Sequence, residues 1–181
     1  RMSDTKTIKF KPKQVTKRLL SVLSDRGRDV IIKRYGLDDT AKRLTLEGIG
    51  KKYGITRERV RQIENHSLIN IRKSKDYVKE RPAFDQLSEF VASLGGVISE
   101  EDLLAHVSKD KSVQNHVHFM LVIGEEFVKE KEDENFKHRW YVDKDLADKI
   151  HTSLRRLYSN LGDDELVIEA DMIDSFLEYV K

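Results

Sequence analysis

The chain has 181 residues, room for one large or two to three small domains, and its 38% hydrophobic content suffices for modest cores. It contains no cysteine, which excludes disulfides and thiolate metal sites and fits a reducing, cytoplasmic setting; no apolar run approaches a membrane span or a signal-peptide core. The formal charge of +2 conceals a division: residues 1–82 hold 23 Lys+Arg against 10 Asp+Glu, a positive surplus of 13, whereas residues 83–181 hold 11 against 22, a negative surplus of 11. The first half suits a polyanion and the second does not.

Residues 1–13 are polar, basic and without periodicity, which predicts an arm or linker. From Val15 to Leu23, Val15, Leu19, Leu20 and Leu23 share one helical face. Ser24 can cap a second helix, in which Val30, Ile31 and Tyr35 face the core and which Gly36 ends. Leu37 to Arg43 reads as a polar loop. Thr45 then caps a short helix with Leu46, Ile49, Gly50 and Tyr53 at helical spacing, and Gly54 stands where the chain must take positive φ. Thr56 caps a further helix in which Val60 and Ile63 face inward, with Ile55 just before them. Arg57, Glu58, Arg61 and Gln62 point outward from its first two turns, and the helix is predicted to run on through Leu68 and Ile71. Two short helices joined by a tight turn form a helix-turn-helix, whose second helix offers N-terminal side chains to base edges in a DNA major groove.

Arg34-Tyr35-Gly36-Leu37, Leu44-Thr45-Leu46-Glu47 with Ile49-Gly50, and above all Thr56-Arg57-Glu58-Arg59-Val60-Arg61-Gln62-Ile63-Glu64 resemble region 4 of the primary-type bacterial sigma factors, across about residues 14–74. The resemblance implies recognition of the upstream (−35) promoter hexamer in transcription initiation, with another surface holding the β-subunit flap of RNA polymerase. By position it assigns base contacts to Arg57, Glu58 and Gln62. It assigns phosphate contacts to Arg26, Arg34, Thr45, Thr56 and Arg59, to which the outward cation Arg61 is added. The chemistry agrees: Arg pairs with guanine O6 and N7, Glu accepts from cytosine N4, and Gln pairs with adenine or approaches thymine. Gly48, Gly27 and His66 depart from the pattern, and each glycine costs about 0.5–1 kcal/mol of helix propensity. Nothing in the chain resembles the promoter-melting regions of the family. The plainer account of Arg57 to Glu64 is a charged, solvated helix face, since its spacings make ordinary i,i+4 pairs; a dimeric operator-binding regulator is a further alternative.

Beyond the helix-turn-helix domain (14–74), the charged stretch 75–83 closes at Pro82 and reads as a linker. Residues 84–144 predict a winged helix. Phe84, Leu87, Phe90, Val91 and Leu94 make one helix face, Val97-Ile98 a short extended piece, and Ser99 with Asp102 a capping box ahead of Leu103, Leu104 and Val107. A third helix runs from about Ser112 to Ile123. Phe127–Lys131 and Phe136–Val142 flank the acidic turn Glu132–Asn135 as a β-hairpin. This order is similar to the HARE-type helix-turn-helix domain of the polymerase delta subunit. Residues 145–181 echo the start of that domain and read either as a truncated second winged helix or as a terminal helical pair. The fold class is therefore mainly α: a four-helix helix-turn-helix domain, a winged helix of three helices plus a hairpin, and a further helical segment.

The acidic half predicts a protein-contacting or spacing role, as an interaction module on polymerase or a regulator or in cis against the basic half; a solvated acidic face with no partner is an equal alternative. His106, His116 and His118 near Asp102 and Asp110 are expected to be ordinary surface or hairpin-facing histidines; no metal, cofactor or catalytic constellation is expected, and the chain does not read as an enzyme.

Overall fold

In the computed structural model of the protein, which describes residues 7–95, 97–130 and 138–143, Pro12 opens the first helix, α1 (Pro12–Leu20). Proline fits this first turn because the N–H it lacks has no intrahelical partner there. The predicted basic arm therefore ends earlier than residue 13. Within it, Ile8 and Phe10 pack against the core and the Lys9 N–H donates to Gln86 Oε1 at 3.1 Å, so these residues are anchored. Residues 1–6, the acidic turn of the hairpin and the predicted segment 145–181 lie outside the described residues.

Ser24 caps α2 (Asp25–Tyr35), its Oγ accepting from the Gly27 N–H at 3.2 Å, and Gly36 ends it at φ 67°. Thr45 and Thr56 cap α3 (Leu46–Tyr53) and α4 (Arg57–Arg72) in the same way, accepting from the Gly48 and Arg59 N–H groups, each at 3.0 Å. Between them Gly54 takes φ 67°. Gly50 is where the two helices come closest to the turn: a Cβ there would lie 2.7 Å from the Ile55 carbonyl oxygen. Gly27 also has a packing reason, for a Cβ on it would meet Ser67 Oγ at 2.8 Å where α2 crosses α4.

The stretch 75–83 is not an extended linker. Ser74 caps α5 (Lys75–Lys79) through the Tyr77 N–H, and α6 (Arg81–Ser93) follows with Pro82 in its first turn. Proline is admitted there for the same reason as at α1, so it starts a helix instead of marking a boundary. Tyr77 is buried against Phe84, with ring centroids 5.1 Å apart. Glu80, also buried, receives a two-pronged hydrogen bond from the Arg18 guanidinium, which ties α1 to this junction.

The second half has the predicted order: α6, β1 (Val97–Ser99), α7 (Glu100–Val107), α8 (Lys111–Ile123), β2 (Phe127–Glu130) and β3 (Arg139–Val142). Ser99 caps α7 through the Asp102 N–H at 3.2 Å. The strands form an antiparallel sheet in the order β1-β3-β2, with Ile98 opposite Trp140 and Lys129 opposite Trp140 on the other side. Among the described residues this is a mainly helical fold with one small sheet.

The two halves share a core. One apolar cluster runs from Val15, Leu19, Ile31 and Tyr35 through Ile71, Phe84 and Leu87 to Leu103, Phe119, Met120 and Trp140. Val30, Leu46, Ile49 and Val60 form a second, small cluster inside the helix-turn-helix. At the centre lies α8. Asn115, His116, Val117, His118, Phe119, Met120, Leu121 and Ile123 are all buried, with α1, α2 and α4 on one side and α7 on the other.

Candidate nucleic-acid interface

The proposed reading surface is built on two apolar anchors, one buried and one partly buried. Val60 is fully buried in the small cluster and Ile63 packs against it, so the rest of the first two turns of α4 must face away. Arg57, Glu58 and Arg59 are exposed, and Arg61 and Gln62 are half-buried. Residues 57 and 61, and 58 and 62, are each four apart and so share a face. The residues predicted to touch bases are thus brought together on one stretch of helix, with Arg57 and Glu58 exposed and Gln62 half-buried.

Two internal pairs order this stretch. Arg61 donates from Nε and Nη2 to the two oxygens of Glu58, at 3.0 and 2.6 Å. That hydrogen bond holds the Glu58 carboxyl below its usual range, so the side chain is an ionised acceptor, the form needed to receive a cytosine N4 donor. Arg59 Nη1 donates to Gln62 Oε1 at 3.3 Å. Thr45 and Thr56 use their oxygens as caps, yet each hydroxyl keeps a proton to give, at helix N-termini whose dipoles favour anions. Arg26 is exposed, with its guanidinium 5.2 Å from the centroid of the Tyr53 ring.

Arg34 is placed differently from the other predicted phosphate contacts. It is half-buried; its Nε lies 3.4 Å from Glu64 Oε2 and its Nη1 donates to the Leu44 carbonyl at 3.3 Å. Glu64 also accepts from the Tyr35 hydroxyl at 2.8 Å. Arg34, Tyr35 and Glu64 therefore lock α2 to the middle of α4 and to the residue before Thr45.

In the second half the corresponding helix, α8, is buried over residues 115–121 against α1, α2, α4 and α7, while its first turn, residues 111–114, is exposed to half-buried. His116, expected at the surface or facing the hairpin, is instead 6% exposed and covered by α1, whereas His118, 7% exposed, does face the hairpin, its ring 6.5 Å from that of Trp140, with the first half closing its other side. His116 Nδ1 meets the Thr16 hydroxyl of α1. His118 lies beside Tyr35, 5.9 Å between centroids, and its Nε2 is 3.3 Å from Glu100 Oε1. Burial holds both imidazoles below their usual pKa. His118 in its neutral form donates to Glu100, which also accepts from Trp140 Nε1 at 3.0 Å and lies 3.7 Å from Lys129 Nζ. The sequence signal for this closure is slight: hydrophobic residues on more than one side of α8.

An open groove of about 470 Å³ lies where α1, α2 and α8 meet, floored by Leu20, Ile32 and Leu37 and rimmed by Lys13, Lys17 and Arg28. None of the predicted DNA-contacting residues lines it. No helix among the described residues is long and apolar enough to cross a membrane.

The family model described as "Sigma-70, region 4" matches residues 19–73. Over 55 residues the chain is 46% identical to the RNA polymerase principal sigma factor HrdD of Streptomyces griseus and 47% identical to HrdD of Streptomyces coelicolor, covering 30% of this chain and 16% of each relative. Over 54 residues it is 54% identical to the RNA polymerase sigma factor SigA1 of Synechococcus elongatus, covering 30% of this chain and 13% of that protein. The chain thus spans only about a sixth or less of the length of these curated relatives, and no solved structure matches it significantly. The aligned stretch holds α2, α3 and α4 with both threonine caps and the Arg57–Gln62 segment, and so the chain carries a sigma-70 region 4 domain at residues 19–73.

Proposed function

We propose that this protein binds promoter DNA sequence-specifically in transcription initiation, reading a −35-type element with α4. Arg57, Glu58 and Gln62 contact base edges. Arg26, Thr45, Thr56, Arg59 and Arg61 meet phosphates and set the register. The observation that carries this reading is the exposure of Arg57, Glu58 and Arg59 in the first turn of α4, above the buried Val60 and the partly buried Ile63, on a domain matched to sigma-70 region 4.

The test is the anisotropy of a labelled duplex containing TTGACA against a scrambled duplex, each titrated over a range of salt. Preferential binding to the promoter duplex, weakening as salt rises, supports the reading. Equal binding to both duplexes overturns it.

RNA polymerase is the second proposed partner, through its β-subunit flap. The groove between α1, α2 and α8, where the region 4 domain meets the second half, suits such a contact, since its floor is apolar and it leaves the reading helix uncovered. The acidic second half, with its likeness in element order to the HARE-type domain of the delta subunit, is read as a polymerase-associated module and not as a second DNA reader. The burial of α8 over residues 115–121 and the acidic surplus of this half support that choice.

A further inference from the structure

Beyond the apolar packing around Tyr35, α8 is hydrogen-bonded to the DNA-reading unit near both of its ends. Asn115 is fully buried. Its Nδ2 donates to the Gly36 carbonyl at 3.0 Å and to the Ala41 carbonyl at 2.9 Å, while its Oδ1 accepts from Arg43 Nε at 3.0 Å. One carboxamide thereby spends both donors and its acceptor on the loop between α2 and α3. That loop is irregular, with Ala41 at φ 53°, and it delivers Leu44 to the Lys33 carbonyl just before the Thr45 cap. At the other end of α8, Arg72 in the last turn of α4 donates from Nε to the Ile123 carbonyl at 3.0 Å and from Nη2 to the Val122 carbonyl at 2.8 Å. A guanidinium at the carbonyl end of a helix is well placed for charge as well as for hydrogen bonding.

We propose that α8 is a clamp for the reading unit: Asn115 fixes the approach to α3, the Ile123 end fixes the far end of α4, and the second half thereby sets the angle at which α4 meets DNA. Asn115 and Arg72 are positioning residues, since neither is assigned a contact with DNA. The inference rests on the proposed promoter reading. It gives the second half a role in recognition that needs no contact with nucleic acid.

The test compares Asn115→Asp, which keeps the acceptor for Arg43 but withdraws both donors, with Arg72→Gln at the half-buried other contact. The second variant keeps the test decisive should the first not fold. Leu103→Val, in the core of the second half away from both contacts, is the control. Promoter affinity, the promoter-to-scrambled ratio and the salt slope are measured well below each melting midpoint. A loss of promoter affinity on the order of tenfold, with a reduced ratio and an unchanged salt slope, supports the clamp when Leu103→Val keeps the wild-type ratio. A folded variant that discriminates as the wild type does overturns it, as does a control that loses discrimination equally. Amide exchange at Leu44 and along α3 is read in parallel and must be faster in Asn115→Asp than in the control. If the wild type itself shows no promoter preference, the promoter reading fails, and the exchange rates still decide whether the clamp exists.

Discussion

Arg57 and Arg34 are both arginines assigned by sequence to DNA, and their surroundings separate their roles. Arg57 is exposed in the first turn of α4, so Arg57→Ala is expected to remove about 1–3 kcal/mol of discrimination at one base pair and leave binding to scrambled duplex nearly unchanged. Arg59→Ala, at a proposed phosphate contact, is expected to weaken every sequence and lower the salt slope by about one. Arg34 is engaged with Glu64 and the Leu44 carbonyl. Arg34→Ala is therefore expected to destabilise the fold by about 1–2 kcal/mol and to weaken all sequences while leaving the salt slope as it was. Urea melts and salt titrations of the three variants check these expectations; a salt slope lowered by Arg34→Ala as far as by Arg59→Ala would return Arg34 to the phosphate set.

At the scale of elements, the caps are the part of the fold most legible in the sequence. Ser24, Thr45, Thr56 and Ser99 each bond a backbone N–H three residues ahead, so local spacing carries the whole signal. The reading turn is legible for the same reason, as a short capped segment with two apolar anchors. What spacing does not carry is fit between distant segments. The partners of Asn115 lie 72 to 79 residues away, and nothing near Asn115 announces them. Pro82 shows the converse: a true local preference, admitted at a helix start because the missing N–H is not needed there.

The two glycines of α3 give a prediction at this scale. A side chain at Gly48 would meet only Thr45 Oγ1, at 3.2 Å, among atoms within 4 Å. Gly48→Glu would complete a capping box with Thr45 and is expected to stabilise the protein by about 0.5–1 kcal/mol. Gly50→Ala, pressed against the Ile55 carbonyl, is expected to destabilise it and to weaken promoter binding by tilting α3 on α4. Thermal melts of the pair check the opposite signs.

For the molecule as a whole, the shared core predicts one cooperative unit. Residues 7–74 expressed alone would bare the faces of Leu19, Ile31, Tyr35 and Ile71 that α8 and its neighbours cover, and are expected to melt at lower urea than the full chain. The full chain is expected to lose both halves in one transition; two separate transitions over the described elements would mean that the cores are independent. Acid acts on the same junction. His116 faces Thr16, Lys13 and the Leu37 backbone, and His118 faces Glu100, Tyr35, Trp140, Arg43 and Lys129. Both folded-state pKa values lie below the usual value, chiefly through burial, so the unfolded chain takes up the protons first. Their contribution is complete above about pH 6.5 and is lost as pH falls from there through the folded values. Urea melts at a series of pH values from neutral to mildly acid are expected to show that decline, and His118→Gln to flatten part of it.

The lone tryptophan turns this arrangement into a signal. Trp140 is 3% exposed, bonded to Glu100 and 6.5 Å from the His118 ring, far along the chain from α4. Its emission should be that of a shielded indole, dim when the neighbouring imidazole is charged and red-shifted once water reaches the ring. An unlabelled duplex that changes this light would report, from the half of the molecule to which no base contact is assigned, that a promoter has been engaged.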